Sequence, residues 1–330
     1  MSVYKPVNIK QSRVSVIVIT YNAKDDVRDC LLSLAVQEVP IEIIIVDNAS
    51  TDGTREMLTN EFAGWANIRL ILNDENIGFA KGNNQALPYC NGEYILLLNS
   101  DTVVPRGGIA EMVKYMDLHP DVGVLGPRMV NENGIVQLSY GRFWSLIRDV
   151  AIAPILGSAY LERLPIIRWW KNQISGRKEV SEVDWIGGAA FMIRKQLMID
   201  LGGIDPFYFL SAGDMVDLCM RVKKKGYKRV YYPNVEFIHK GSKSISFTRT
   251  TRTASLAHSY DGTIYFFKKH HGKMAALLAR LLLILISLAK ATIASLIAIG
   301  FGKPYNDIAY AHMFNALRLM KVRHTDVQYK

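Results

Sequence analysis

Four polar clusters punctuate the first hundred residues: Thr20-Tyr21-Asn22, Asp47-Asn48, Asn73 to Asn76, and Asn99-Ser100-Asp101. Each comes after an apolar run rich in branched side chains. Any one of them is an ordinary turn composition, because Asn, Asp and Gly favour turns. Four in the same position after an apolar run imply a shared edge. Such an edge suits a nucleotide: one carboxylate for base or ribose, amides that donate to phosphate, and a second carboxylate for a metal. Farther along, other carboxylates and histidines carry groups able to move a proton or hold a cation. The plain readings stand beside these. A carboxylate at a helix start is also a cap, and a lone His is more often structural than a ligand.

The elements needed to hold these groups are legible as periodicity. Val14 to Thr20, Ile41 to Asp47, Ile68 to Leu72 and Glu93 to Leu98 are short apolar runs, read as buried parallel strands. Between them, Lys24 to Val36 and Phe79 to Tyr89 have helical spacing, and Thr51 or Ser50 is placed to cap a helix after Gly53. Strand–helix alternation at this spacing means βαβ units, an α/β fold with a mostly parallel sheet and helices on both faces. In such a sheet ligands bind beyond the carboxyl ends of the strands, where the four clusters fall. Val183 to Ile193 resumes as a strand interrupted by Gly187-Gly188. Asp214 to Gly226 reads as a helix, and Tyr227 to Tyr232 as a strand ending at Pro233.

The 330 residues are 49% hydrophobic and 21% charged, which excludes a disordered chain, and three scattered cysteines exclude a disulfide framework. The polar N-terminus has no apolar core of a secretory signal. The net charge of +10 is unevenly spread: residues 1–220 hold 20 Lys+Arg against 26 Asp+Glu, and residues 221–330 hold 20 against 4. The basic part also contains the most apolar stretch, Leu277 to Phe301. Basic and apolar together favour an anionic membrane surface over nucleic acid. From Leu281 to Phe301 the one charge is Lys290, near the middle. A crossing needs about 20 apolar residues, and a charge at mid-bilayer costs roughly 2.5–3.5 kcal/mol. The expectation is therefore a helix lying among headgroups, with Arg280, Ser287 and Lys290 in one polar quadrant beside Ala291 and Ala294. A buried core helix is the bland alternative. A second amphipathic helix is expected over Asp307 to Arg323. Phe143 to Trp170, mixing aromatics and arginines, reads as a lid or a surface that meets something apolar.

The residues then carry a resemblance. Ser15-Val-Ile-Val-Ile-Thr-Tyr-Asn22, Ile44-Ile-Val-Asp-Asn-Ala-Ser-Thr-Asp-Gly-Thr54, Asn76-Ile-Gly-Phe-Ala-Lys-Gly-Asn-Asn84 and Leu96-Leu-Leu-Asn-Ser-Asp-Thr102 occur in that order. Together they resemble an inverting family 2 glycosyltransferase of the GT-A (Rossmann-like) fold, in its rhamnosyltransferase-like branch, from about Val14 to Ser244. The resemblance implies a donor site lined by Thr20, Tyr21, Asn22, Asp47, Asn76, Gly78, Lys81, Asn84, Asn99 and Ser100, with Gly187 and Gly188 letting backbone approach the sugar. It implies a divalent cation, Mn2+ or Mg2+, on Asp101 and His239. The family's base lies in a Glu-Asp pair opening a helix, and here the matching run is Gly213-Asp-Met-Val-Asp-Leu-Cys-Met-Arg221. Met215 stands where the usual base is expected, so Asp214 is the candidate base, with Asp217 as the fallback. Gly202-Gly-Ile-Asp205 resembles a structural turn of the family.

By the same resemblance, the implied reaction is a metal-dependent transfer of L-rhamnose from a dTDP-sugar donor to a polyprenyl-diphosphate-linked or glycan acceptor of a bacterial surface polysaccharide. The expected place is peripheral, on the cytoplasmic face of the plasma membrane. Residues 1–245 would be catalytic and 246–330 a membrane-associating helical region; an oligomer is left open. Two alternatives stay beside it: a degenerate nucleotide-sugar binder, motivated by Met215, and a family 2 transferase with another donor sugar. A nucleotidyltransferase lacks support because no Gly-rich, basic loop comes after the first strand.

Overall fold

A computed structural model describes residues 12–152, 177–208, 213–241, 249–301 and 303–321. The apolar runs become β1 (Val14–Thr20), β2 (Ile41–Asn48), β3 (Ile68–Asn73) and β4 (Tyr94–Asn99). They lie parallel in the order β3-β2-β1-β4, with Thr20 beside Asp47, Asn48 beside Asn73, and Ile19 beside Asn99. The register therefore puts all four polar clusters on one edge.

Both faces of this sheet are covered, which is why β1 and β2 are apolar almost throughout. Val14, Val16 and Val18 pack with Val27, Cys30, Leu31 and Leu34 of α1 (Lys24–Ala35) and with Ile109, Met112 and Met116 of α4 (Gly108–Leu118). Ile17, Ile44 and Val46 face the other way, against α3 (Gly78–Ala86), α5 (Lys195–Asp200) and α6 (Asp214–Lys224). The helix expected after Gly53 is α2 (Thr54–Met57), which continues as a π-helical turn, Leu58–Phe62; its cap is Gly53 itself, not Thr51 or Ser50, and Asp52 accepts from the Thr54 amide at 3.0 Å.

Beyond β4 the sheet turns mixed. Asp101 leads into β5 (Thr102–Val103), and β6 (Val122–Val130) lies two strands beyond β4. Between β4 and β6 runs β11 (Ala190–Arg194), antiparallel to both. Short strands β7 (Val136–Gln137) and β9 (Ser181–Glu182) pair with the sheet's far side, while β8 (Tyr140–Gly141) and β10 (Trp185–Ile186) form a separate ribbon. The interruption at Gly187-Gly188 thus separates strands of two different sheets.

The strand expected to stop at Pro233 does not stop. β12 runs from Lys228 to His239, with its register on β6 broken between Tyr232 and Glu236. Proline has no N–H to donate, so it is accommodated at the irregularity and pairing resumes at Glu236 with Arg128. The continuation sets Ile238 opposite Val103 and His239 opposite Thr102.

The chain divides into two units. One comprises residues 1–143, 172–206 and 215–244, and the other residues 144–171, 207–214 and 245–330. The second unit is helical. Its main element, α7 (Arg249–Phe301), starts well before the apolar stretch at Leu277 and is broken at Gly272, which adopts φ 88°, ψ 175°. Tyr260 lies 12 residues before Gly272 and Ser287 lies 15 after it, so a continuous helix would hold them about 40 Å apart. Instead, the Ser287 hydroxyl donates to the Tyr260 hydroxyl at 2.8 Å. The chain therefore doubles back at Gly272, a backbone conformation suited to glycine. The second amphipathic helix begins earlier than expected, as α8 (Lys303–Lys321), with Pro304 in its first turn.

The three helical segments bundle through specific contacts. Arg318 of α8 makes a bidentate pair with buried Asp261 at 2.8 and 3.0 Å. Asn315 donates to the Thr253 carbonyl at 3.1 Å, and Arg280 Nε to the Leu319 carbonyl at 2.8 Å. Ser287, Ala291 and Ala294 are buried. The polar quadrant expected to face headgroups is thus turned inward; small and polar side chains let helices approach closely and bond. Of the aromatic stretch Phe143 to Trp170, the described part ends in a π-helical turn, Leu146–Ile152, that packs on α7. Residues 153–170, the N-terminal residues 1–11 and the 245/246 boundary lie outside the described residues.

Candidate active site

The rim of the parallel sheet begins at Thr20 and Asp47, both buried. Asp47 Oδ2 accepts from Arg55 Nε at 3.0 Å and from the Ser50 amide at 3.2 Å. Its Oδ1 and the Thr20 hydroxyl are buried with no hydrogen-bond partner in the protein. Buried polar atoms are nearly always bonded, so two of them on adjacent register positions point to a ligand that supplies donors and acceptors. Arg55 is a residue the sequence reading missed: it lies just beyond Gly53 and also bonds the Asn73 carbonyl, tying β2 and β3 together.

The loops around this point are locked to one another. Asn22 is in the left-handed region, φ 50°, which Asn tolerates. Its side-chain oxygen accepts from the Thr51 amide at 2.8 Å, and its own amide donates to the Ser50 hydroxyl at 2.9 Å. Tyr21 projects from the same loop and is exposed. Asn76 turns its oxygen back to the Gly78 amide at 3.0 Å, starting α3, and Lys81 is exposed on that helix. Asn84 is committed elsewhere: its amide exchanges hydrogen bonds with both backbone groups of Ile204, at 2.8 and 2.6 Å. The structure thus gives Asn84 a bracing position on the Gly202-Gly203 turn.

At the other end of the rim, Asn99, Asp101 and His239 come together. His239 Nε2 lies 3.3 Å from Asp101 Oδ1 and 3.4 Å from Asn99 Nδ2. The tautomer is set by Gln137, which the sequence reading also missed. Its Nε2 donates to the His239 carbonyl at 2.8 Å, which fixes the amide's orientation and puts Oε1 2.7 Å from His239 Nδ1. Nδ1 then donates to Gln137, and Nε2 is the ring atom that faces the Asp101 carboxylate. An imidazole nitrogen and a carboxylate oxygen thus face each other, two groups of the kind that can hold a divalent cation. Oxygen plus imidazole suits Mn2+ and is tolerable for Mg2+. Among the described residues no cluster of three or more His, Cys, Asp and Glu gathers around a point. The two residues fit such a cation.

The surroundings hold this pair in place. The Lys240 amide donates to the Asp101 carbonyl at 3.0 Å. Burial works against the Lys240 charge, but hydrogen bonds to Asp29 and Asp26 outweigh it and leave its pKa raised. Beneath Asn99, Cys30 is fully buried, and desolvation with the nearby Asp101 charge pushes its thiol far up. Cys30 is therefore an inert packing group. Ser100 sits in the tight turn between Asn99 and Asp101, half-buried.

The helix that bears the candidate base begins at Asp214, which is buried. A carboxylate there is favoured by the helix dipole. Met215 is buried too: a Cβ built on Gly188 would lie 3.4 Å from Met215 Cγ and 3.6 Å from the Phe79 ring. The position where the family places its base is therefore an apolar seat. Asp217 is fully buried and paired with Arg221 at 2.8 Å, and Arg221 also donates to the Leu201 and Gly203 carbonyls. That pair braces a turn. Gly187, with its amide on the Ser139 carbonyl at 2.7 Å, ends the β8–β10 ribbon.

Comparison with known proteins places this geometry. Residues 15–176 match the model of glycosyl transferase family 2. An N-acetylglucosaminyl-diphospho-decaprenol L-rhamnosyltransferase of Mycobacterium tuberculosis is 28% identical over 272 residues, covering 78% of this chain and 85% of that protein. A putative teichuronic acid biosynthesis glycosyltransferase of Bacillus subtilis is 36% identical over 104 residues, 31% of this chain and 41% of that one. A mannosyltransferase from Pyrobaculum calidifontis, solved with GDP-Man and Mn2+, superposes with a TM-score of 0.53 at 21% identity, covering 95% of this chain and 90% of that one. That likeness speaks to the fold, which is GT-A. The chain carries a glycosyl transferase family 2 domain and is a glycosyltransferase.

Proposed function

We propose that the protein transfers L-rhamnose from dTDP-L-rhamnose to a lipid-linked, diphosphate-bearing sugar during synthesis of a cell-surface polysaccharide, with inversion and with a divalent cation. The observation that carries this reading is the Asp101–His239 pair, a carboxylate oxygen and an imidazole nitrogen 3.3 Å apart on the rim that also bears the unpartnered Thr20 and Asp47 oxygens. The donor and acceptor classes are supported by the relative that acts, by its name, as an N-acetylglucosaminyl-diphospho-decaprenol L-rhamnosyltransferase.

The geometry suggests the roles. Thr20 and Asp47 receive the nucleoside, Asp47 accepting through Oδ1 while Arg55 holds Oδ2. Asn99, Asp101 and His239 face the diphosphate end, and Gln137 orients the His239 ring through Nδ1. A cation held by Asp101 and His239 would neutralise charge on the departing diphosphate. Asp214 takes the proton of the acceptor hydroxyl as its oxygen bonds to the anomeric carbon and the bond from that carbon to the diphosphate breaks. The tail of basic and apolar helices suits a reaction whose acceptor resides in a membrane.

The test is release of dTDP from dTDP-L-rhamnose by the full chain, with a polyprenyl-diphosphate-linked N-acetylglucosamine as acceptor, in Mn2+, in Mg2+ and in EDTA. Product should form with either metal and not in EDTA. GDP-mannose and UDP-N-acetylglucosamine serve as competing donors; turnover with one of these alone would overturn the rhamnosyl assignment. A second reading, a binder with impaired chemistry, is favoured by the apolar seat of Met215. It requires nucleotide-sugar affinity without turnover, and Asp214→Asn would then change nothing.

A further inference from the structure

The helical unit has an apolar interior, with Phe266, Phe267, Leu283 and Leu319 buried, and yet presents a second apolar surface on its outside. On the C-terminal segment of α7 the exposed side chains include Leu277, Leu281, Leu285, Ile293, Leu296 and Ile299, with Ile299 86% exposed. On α8 they include Tyr310, Met313, Phe314, Leu317 and Met320. Four polar groups of these two segments, Arg280, Ser287, Asn315 and Arg318, bond inside the bundle, while Thr292 and Ser295 are exposed. Arg280 on the Leu319 carbonyl sets the register of the two antiparallel segments. That puts Leu281 near the level of Leu317, and Leu285 near that of Phe314, so the apolar sides are neighbours.

We propose that this flank lies side-on in one leaflet of an anionic membrane, with the basic end of the bundle among the phosphate headgroups. The proposal deepens the reading of a membrane-resident acceptor and rests on it for its biological reason, while the surface itself stands on the geometry above. Exposed apolar surface of this extent marks an interaction site, and three observations name lipid as its occupant.

First, the chain from 249 to 321 holds 10 Lys+Arg against 2 Asp+Glu, a balance of +8. A second copy of this chain would bring like charges together, whereas acidic headgroups complement them. Second, four exposed lysines cluster at one end. Lys268, Lys269 and Lys273 are exposed around the Gly272 reversal, and exposed Lys321 is brought to that end by the Arg280–Leu319 bond. Third, the N-terminal segment of α7 exposes Thr250, Thr251, Ser255 and Ser259 along its length. A bundle with one polar and one apolar flank can float with the polar side in water; passing through the bilayer would bury that polar side in hydrocarbon. The apolar segment from 273 to 301 is long enough to cross, at about 43 Å, but its neighbour is not dressed for it.

The experiment is co-sedimentation of the full chain with vesicles of phosphatidylcholine alone and of phosphatidylcholine mixed with phosphatidylglycerol. The wild type should partition onto the mixed vesicles, less so as salt rises. Leu285→Glu with Leu296→Glu should lower that partition by about tenfold or more. Replacing Lys268, Lys269 and Lys273 by Gln should remove the preference for phosphatidylglycerol. Because a charged pair could unfold the bundle, a second measurement uses Leu285→Cys labelled with a polarity-sensitive dye, the native Cys30, Cys90 and Cys219 being buried. Its emission should shift to the blue on adding mixed vesicles, and that of Ser255→Cys should not. Equal partition of the wild type and the doubly substituted variant, or equal dye shifts at the two sites, would overturn the proposal. So would a wild-type dimer in vesicle-free solution that the double substitution dissociates without altering vesicle binding. Turnover with a short, water-soluble acceptor separates the two ideas. It should survive the substitutions at Leu285 and Leu296, and its absence from a wild type that still binds vesicles would overturn the transfer reaction and leave the docking surface standing.

Discussion

The sheet unit and the helical unit solve opposite problems with the same residue types. In the sheet, apolar side chains of β1, β2 and β4 are buried on both faces, and polar groups collect on the rim where the strands end. In the bundle, Ser287, Asn315 and the Arg318–Asp261 pair are inside, while leucines and isoleucines of α7 face outward. The rim is organised for a charged, hydrated ligand. The bundle is organised for a surrounding in which polar groups must find one another. The contrast teaches that burial of a polar group has no single meaning: the Thr20 hydroxyl and Asp47 Oδ1 have no partner in the protein, as the proposed donor site requires, whereas polar groups inside the bundle bond to one another.

The sharpest way to break this comparison is at the rim. Asp101→Ala should lower turnover by about 10²–10³-fold, the scale seen when one group aimed at developing charge is removed. It should also abolish the strengthening of dTDP binding by Mn2+ in calorimetry. Wild-type turnover in the variant would remove Asp101 from the site. Next in size is Gln137→Leu. A residue that orients a metal-binding imidazole typically accounts for about 10–100-fold in metal affinity, so the Mn2+ concentration giving half-maximal dTDP binding should rise by that factor. Gln137→Glu retains an acceptor for Nδ1 and should recover part of the loss; equal loss in both variants would mean that the amide only braces β7 against β12.

How much of this was written in the sequence depends on range. The strands, their order within the first hundred residues and the four polar clusters are given by local periodicity. The register of parallel strands then carries them to one edge with no further information. Gln137 and Arg55 were not legible. Gln137 meets His239 across 102 positions of chain, through a strand that continues past Pro233 where a proline normally ends pairing. Arg55 reaches Asp47 across a short gap, yet an Arg in the first turn of a helix has many ordinary reasons to be there. The tail exposes a different limit. A period near 100° per residue located the face holding Arg280, Ser287 and Lys290, but periodicity has no sign: it says that two faces differ and leaves open which one is inside. Only packing against Tyr260 and α8 decides that.

Asp47 offers the third test, smaller and aimed at stability. Arg55→Met removes a charge-assisted hydrogen bond to a carboxylate that is fully buried. With Arg55 itself about one-third exposed, solvent moderates the effect, and a loss of about 2 kcal/mol is expected in urea unfolding. An unchanged midpoint would mean that the Ser50 amide suffices to hold Asp47 and that Arg55 serves the ligand alone.

The last test separates the two flanks of α7. Ala294 is buried against its neighbours, so Ala294→Leu must push helices apart and should cost about 1–3 kcal/mol. Leu296, two positions on, is 64% exposed, and Leu296→Ala should change stability in aqueous buffer by at most about 0.5 kcal/mol. Thermal unfolding of the two variants reads the difference directly. A bundle whose apolar stripe was its true core would give the reverse order, a large loss at Leu296 and tolerance at Ala294. That result would return the polar quadrant to the solvent side and with it the amphipathic arrangement that the sequence period alone allows.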